Sequence, residues 1–106
     1  MNLQNEKFLE KWHSFSLHQQ MAHVGSEISR AISLQQKNDK ENTEKSVMRA
    51  LELIDFIVAD NRWKGRLFEI LILREVICDM FFAGGSNYHT KPSFLKDYFL
   101  FFALSQ

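Results

Sequence analysis

The chain reads as an all-α protein: an antiparallel three-helix bundle completed by a short aromatic C-terminal helix. Three observations predict this. Gly and Pro are scarce, four and one in 106 residues, too few for the turns of a sandwich or barrel. Apolar residues recur at helical rather than alternating spacing along the long segments. Two polar stretches, "QKNDKENTEK" and "SNYHTKPS", punctuate the pattern. The length is that of one domain, so residues 1–106 are read as a single helical domain.

The first firm helix is expected to begin at Ser16, because "SLHQ" has the Ser-x-x-Gln form of a capping box. Leu17, Met21, Val24, Ile28 and Ala31/Ile32 follow as its core row. Ala22, Gly25 and Ser29 make a second row of small side chains, where another helix could come close. Ahead of Ser16, Phe8, Trp12 and Phe15 either extend this helix or sit on a separate turn. "QKNDKENTEK" reads as a linker ending in Thr43, the expected N-cap of the second helix. That helix has Val47, Leu51, Ile54 and Val58 as its core row. Leu53 and Phe56 point about 140–200° away from it, an apolar face beyond what a simple surface helix requires. Asp60 or Asn61 stops the second helix and can cap the next.

The third helix is expected to run through "GRLFEILILREVICDMFF" (65–82) to a C-cap at Gly84 and Gly85. Its charges do not share a face. With Leu67 as zero and about 100° per residue, Arg66, Glu69, Arg74, Glu75 and Asp79 scatter around the cylinder. The pattern predicts a central helix touched on several sides, with some charges partly buried and in need of partners. Arg66 and Glu69 can pair along the helix. Arg74 needs an acid from elsewhere, and Glu75 with Asp79 needs a cation. Glu27, Arg30, Glu52 and Asp55 are the candidates. Three readings follow. The charges are salt bridges that fix helix register, or Glu27, Arg30, Arg66, Glu69, Arg74, Glu75 and Asp79 line a polar pocket for a small polar or anionic ligand, or the charges simply reach solvent at the helix edges. Ser93 is the expected cap of a last helix, "FLKDYFLFFAL", whose Phe94, Tyr98, Phe99, Phe101 and Phe102 make it aromatic on nearly every side. Such a segment has to be buried against the body or a second subunit.

Several function classes fail on composition or spacing. Lys plus Arg equals Asp plus Glu, without the basic excess of a general nucleic-acid binder. Arg62, Lys64 and Arg66 around Trp63 are the one basic cluster, and it reads better as a hydrophobic anchor flanked by solvated bases. The single cysteine, Cys78, excludes an internal disulfide and a Cys-based zinc site. His13, His18 and His23 are spaced by five, about 140° apart on a helix, so they cannot chelate one metal from one face. "EKWH" is a lone Glu-x-x-His where a di-iron bundle needs two. There is no phosphate-binding loop, zincin motif or nucleophile elbow. No metal or other cofactor is expected. The polar, mixed-charge start is unlike a secretory signal, and no charge-free apolar run approaches the ~20 residues of a membrane span. The expected setting is cytoplasmic.

Two blocks carry a likeness. "SEISRAISLQQKND" (26–39) and "ALELIDFIVADNRWKGRLFEILILREVICDMFF" (50–82), followed by "NYH" and "YFLFFAL", resemble a family of short all-helical conserved hypothetical proteins of bacteria and archaea. The resemblance implies a helical fold and brings no catalytic residue with it. A more remote likeness is to small helical domains of HEPN type. Ribonuclease members of that group carry an Arg followed about four to six residues later by a His. Arg62, Arg66 and Arg74 have no His at that distance, so the likeness does not imply ribonuclease activity.

The expectation is therefore a non-enzymatic interaction protein, a homodimer or the partner of another protein. Leu53, Phe56, Phe99 and Phe102 are the candidate interface, because this apolar surface exceeds what a monomer of this size readily buries. A small-ligand or nucleotide-binding module is the alternative, and weak nucleic-acid association through Arg62, Lys64 and Arg66 a third.

Overall fold

The computed structural model describes residues 3–104. It is all-α, without a strand among those residues: α1 (Leu3–Ser14), α2 (Leu17–Gln36), α3 (Lys40–Val58), a 3-10 turn (Asn61–Arg66), α4 (Leu67–Phe82) and α5 (Pro92–Leu104).

Helix α2 begins where its sequence says. Ser16 Oγ accepts the Gln19 N–H at 3.2 Å, and Gln19 Oε1 accepts the Ser16 N–H at 2.8 Å, a complete capping box. Leu17, Met21, Val24, Ile28, Ala31 and Ile32 are all buried. The helix ends in a Schellman turn: Asn38 takes φ 60°, Asn38 N–H bonds Gln35 O, and Asp39 N–H bonds Leu34 O. Asp39 then serves as the N-cap of α3, its Oδ1 accepting the Asn42 N–H at 3.2 Å. That corrects the expectation at Thr43. One residue ends a helix and the next starts another, so most of the supposed linker is helical. Thr43 is the fourth residue of α3, with its hydroxyl donating to Asp39 O at 2.7 Å.

Helix α2, rather than α4, makes the most extensive contacts, with α3 and with α5. The small-residue row supplies the second contact. A Cβ built on Gly25 would lie 2.6 Å from Phe99 Cβ, closer than real side chains approach, so α5 crosses α2 where α2 has no side chain. Leu95, Phe99 and Phe102 of α5 are buried there. Helix α5 starts at Pro92, one residue before the expected cap Ser93, with its proline at the first helical position, where no N–H is missed.

Residues 3–14 form a helix of their own. Phe8 of α1 meets Phe56 of α3 at 5.9 Å between ring centroids, and Trp12 is buried in the same core as Leu53. Gln20 of α2, fully buried, ties this corner. Its Nε2 donates to Trp12 O at 2.9 Å, and its Oε1 accepts the Trp63 Nε1–H at 2.9 Å. The extra apolar face of α3 is thus covered within one chain.

Helix α4 follows the 3-10 turn, which Asp60 caps through the Arg62 N–H at 2.9 Å. Its packed side is Ile70, Leu73, Ile77 and Met80, against α3. Gly84 and Gly85, at φ 64° and 76°, turn the chain immediately after it. No helix is long and apolar enough to cross a membrane among the described residues.

Candidate functional site

The charges on and around α4 separate into local attachments. Arg66 and Glu69 pair along the helix, with Nε to Oε2 at 3.0 Å. Tyr98 Oη of α5 donates to Glu69 Oε1 at 2.7 Å. The Arg66 guanidinium, then the Tyr98 hydroxyl, hold the Glu69 carboxyl below the usual range. Burial, then the Glu69 carboxylate, pushes the Tyr98 phenol well above its ordinary value. Arg74 reaches α3 and takes Asp55, one of the three candidate acids, through Nε–Oδ1 at 2.8 Å and Nη2–Oδ2 at 3.3 Å.

Glu75 and Asp79 need no cation. Asp79, 5 % exposed, accepts the backbone N–H groups of Asn87 at 3.0 Å and Tyr88 at 3.1 Å. Tyr88 Oη donates to Glu75 Oε2 at 2.6 Å. The two carboxylates pin the 83–91 loop against the end of α4, as backbone donors satisfy a buried carboxylate as well as a base does. Glu27 and Arg30 pair on α2 at 3.2 Å.

The seven residues do not converge. A shallow depression beside the loop is lined by Glu75 and Asp79 with Cys78, Ala83, Asn87 and Tyr88. Glu27 and Arg30 border a different pocket, under α1. Arg66, Glu69 and Arg74 line neither. The single polar cleft expected from the sequence is replaced by ties between elements, because each charge found a partner close to its own helix. Two of those partners are tyrosine hydroxyls that no helical spacing marks: Tyr88 in the loop after α4 and Tyr98 in the middle of α5.

The four candidate interface residues are committed inside the chain. Leu53, Phe99 and Phe102 are buried, and Phe56 is half-buried against Phe8. Association cannot use them without unpacking α1 or α5. The apolar side chains left outside are others: Phe68, Leu71, Ile72 and Phe82 on α4, and Phe94, Leu100, Phe101 and Leu104 on α5.

The basic cluster is also largely occupied. Arg62 folds onto Asp60, with Nη2–Oδ2 at 2.7 Å, and lies 4.6 Å from the Trp63 ring centroid. Arg66 is held by Glu69, which leaves Lys64. His23 stacks on Phe15 at 5.1 Å, and His18 lies 5.6 Å from the Phe102 ring. Among the described residues, no three His, Cys, Asp or Glu side chains come together as a metal site. No protein-family model, curated protein or solved structure matches the chain.

Proposed function

We propose that the chain is a non-enzymatic association module that pairs with a second copy of itself through the outer face of α4. The observation that carries this reading is an apolar stripe facing solvent. With Phe68 as zero and about 100° per residue, Leu71, Ile72 and Phe82 fall within about 60° of it, as do Glu75 and Asp79, where the 83–91 loop crosses this face between the two apolar ends. Phe68 is 79 % exposed, and Leu71, Ile72 and Phe82 are exposed with it. Helix α5 adds its own outer row, joined to the start of α4 by the Tyr98–Glu69 bond.

Magnitudes favour a second copy. A whole aromatic side chain presents about 150–250 Å². The exposed parts of the α4 row alone reach the roughly 300–600 Å² of the largest apolar patch on a typical monomer. Covered from both copies, the α4 stripe with its polar margin approaches the roughly 1,000 Å² at which an interface becomes specific. A two-fold contact needs only one patch. The stripe has Phe at both ends, so an antiparallel crossing sets the Phe68 end of one copy against the Phe82 end of the other. The absence of catalysis in this reading rests on the charges, whose hydrogen-bonding groups are taken up by neighbours.

Sedimentation equilibrium tests it. The expected mass is twice the 12.5 kDa of one chain, falling to one chain in a Phe68→Glu, Phe82→Glu double variant of unchanged helicity. A strict monomer for the unaltered chain would end the proposal. A variant that still pairs would move the interface away from α4.

A further inference from the structure

We infer that the pocket under α1, where it lies across α2 and α3, binds a planar organic anion of the aromatic carboxylate class. The inference is independent of self-association, which uses the outer face of α4; none of that face's residues lines this pocket.

The pocket has a volume of about 380 Å³, within the range of small-molecule sites. It is more enclosed than the depressions beside Asp79 or Gly25. One part of its wall is aromatic. Phe15 and His23 stack at 5.1 Å with an interplanar angle of 22°, and Trp12 lies 5.9 Å from His23. Flat faces of this kind select a flat ligand.

The rest of the wall is cationic. Lys11, Arg30 and Arg49 line it against a single acid, Glu27. Glu27 is met by one nitrogen of Arg30, Nη1, at 3.2 Å to each carboxylate oxygen. The other guanidinium N–H groups of Arg30 are outside that pair. Arg49 lies 5.5 Å from the Phe8 ring centroid, and neither it nor Lys11 has a carboxylate partner among the described residues. Unmatched guanidinium forks beside aromatic faces are suited to a carboxylate carried on a ring.

A further observation points the same way. Trp12 Nε1 is buried, with no acceptor among the described residues, whereas Trp63 Nε1 has Gln20. A buried donor without an acceptor costs about 1–3 kcal/mol, and native proteins leave few of them. Trp12 is itself one of the residues that line the pocket. On this proposal a bound carboxylate oxygen supplies the acceptor that its N–H lacks.

The two tryptophans make the test internally controlled. The ¹⁵N-labelled full chain is titrated with benzoate and indole-3-acetate, then with benzamide and indole-3-acetamide as neutral isosteres, and with inorganic phosphate. The Trp12 indole N–H resonance is expected to shift with the carboxylates while that of Trp63 stays in place. The amides should bind about tenfold more weakly, as should the carboxylates to Lys11→Gln or Arg49→Gln. Both positions are on the surface, so thermal melts of the variants should match the unaltered chain. No binding, equal binding of amide and carboxylate, equal binding of phosphate, or binding that leaves Trp12 unmoved would each overturn the assignment.

Discussion

Helices α2 and α4 are both rich in apolar residues, yet they occupy opposite positions. Helix α2 separates its apolar row from its polar residues and carries a second row of small side chains, so neighbours pack on two sides of it. Helix α4 is more apolar overall but has no preferred apolar side. It packs through Ile70, Leu73, Ile77 and Met80 and leaves Phe68, Leu71 and Ile72 outside. Centrality follows from close approach, which Gly25 permits, rather than from apolar content. A helix that is apolar all round is either enclosed or waiting for a partner, and its composition alone does not say which.

The comparison breaks most visibly at paired isoleucines. Ile28 on α2 is fully buried and Ile72 on α4 is exposed. Ile28→Ala should cost about 2–5 kcal/mol, while Ile72→Ala in the monomeric background should stay within about 0.5 kcal/mol. Urea denaturation would show it, and equal losses would mean that α4 is enclosed after all.

The next effect is at the helix crossing. Gly25→Ala forces a methyl onto Phe99, and overpacking of this kind costs about 1–3 kcal/mol. Gly65→Ala meets nothing within 4 Å, so a thermal melt should shift for the first and not fall for the second. A tolerated alanine at 25 would show that α5 sits loosely on α2.

The smallest effect is the link between α5 and α4. Tyr98→Phe should cost about 0.5–1.5 kcal/mol, and its signature is pH dependence. Glu69 is depressed in the folded chain, so its contribution is complete above the ordinary carboxyl range and is lost as pH falls through the folded value. Tyr98 is raised, so its contribution is complete below the ordinary phenol pKa of ~10 and is lost as pH rises through the folded value. The substitution should remove the alkaline loss and leave the part of the acid loss due to Arg66. An unchanged alkaline limb would place that titration elsewhere.

What was legible in the sequence was local. Ser16 with Gln19, the buried row of α2 and the small-residue row at Gly25 are carried by residues within a few positions of one another, and each has its expected role. Asn38-Asp39 reads as a polar linker because its two roles, ending α2 and starting α3, depend on the left-handed turn at Asn38. On helix α1, Phe8 and Trp12 mark a helix face but not what it covers. It covers the surface of α3 that suggested an interface at Leu53 and Phe56. The scatter of charges around α4 signals a need for partners, but most of those partners are set by tertiary approach. The pocket is not legible in the sequence because Trp12, His23 and Arg49 lie on three helices, which meet only in the folded chain.

Gln20 has a consequence for how this molecule opens. Its amide is used at both ends, as donor to the Trp12 carbonyl and as acceptor for the Trp63 indole, so its two ends cannot be exchanged without losing both bonds. The last turn of α1 and the 3-10 turn before α4 are far apart in sequence but share this one anchor. They should therefore behave as a single cooperative unit, exchanging their protected amides together rather than fraying one at a time.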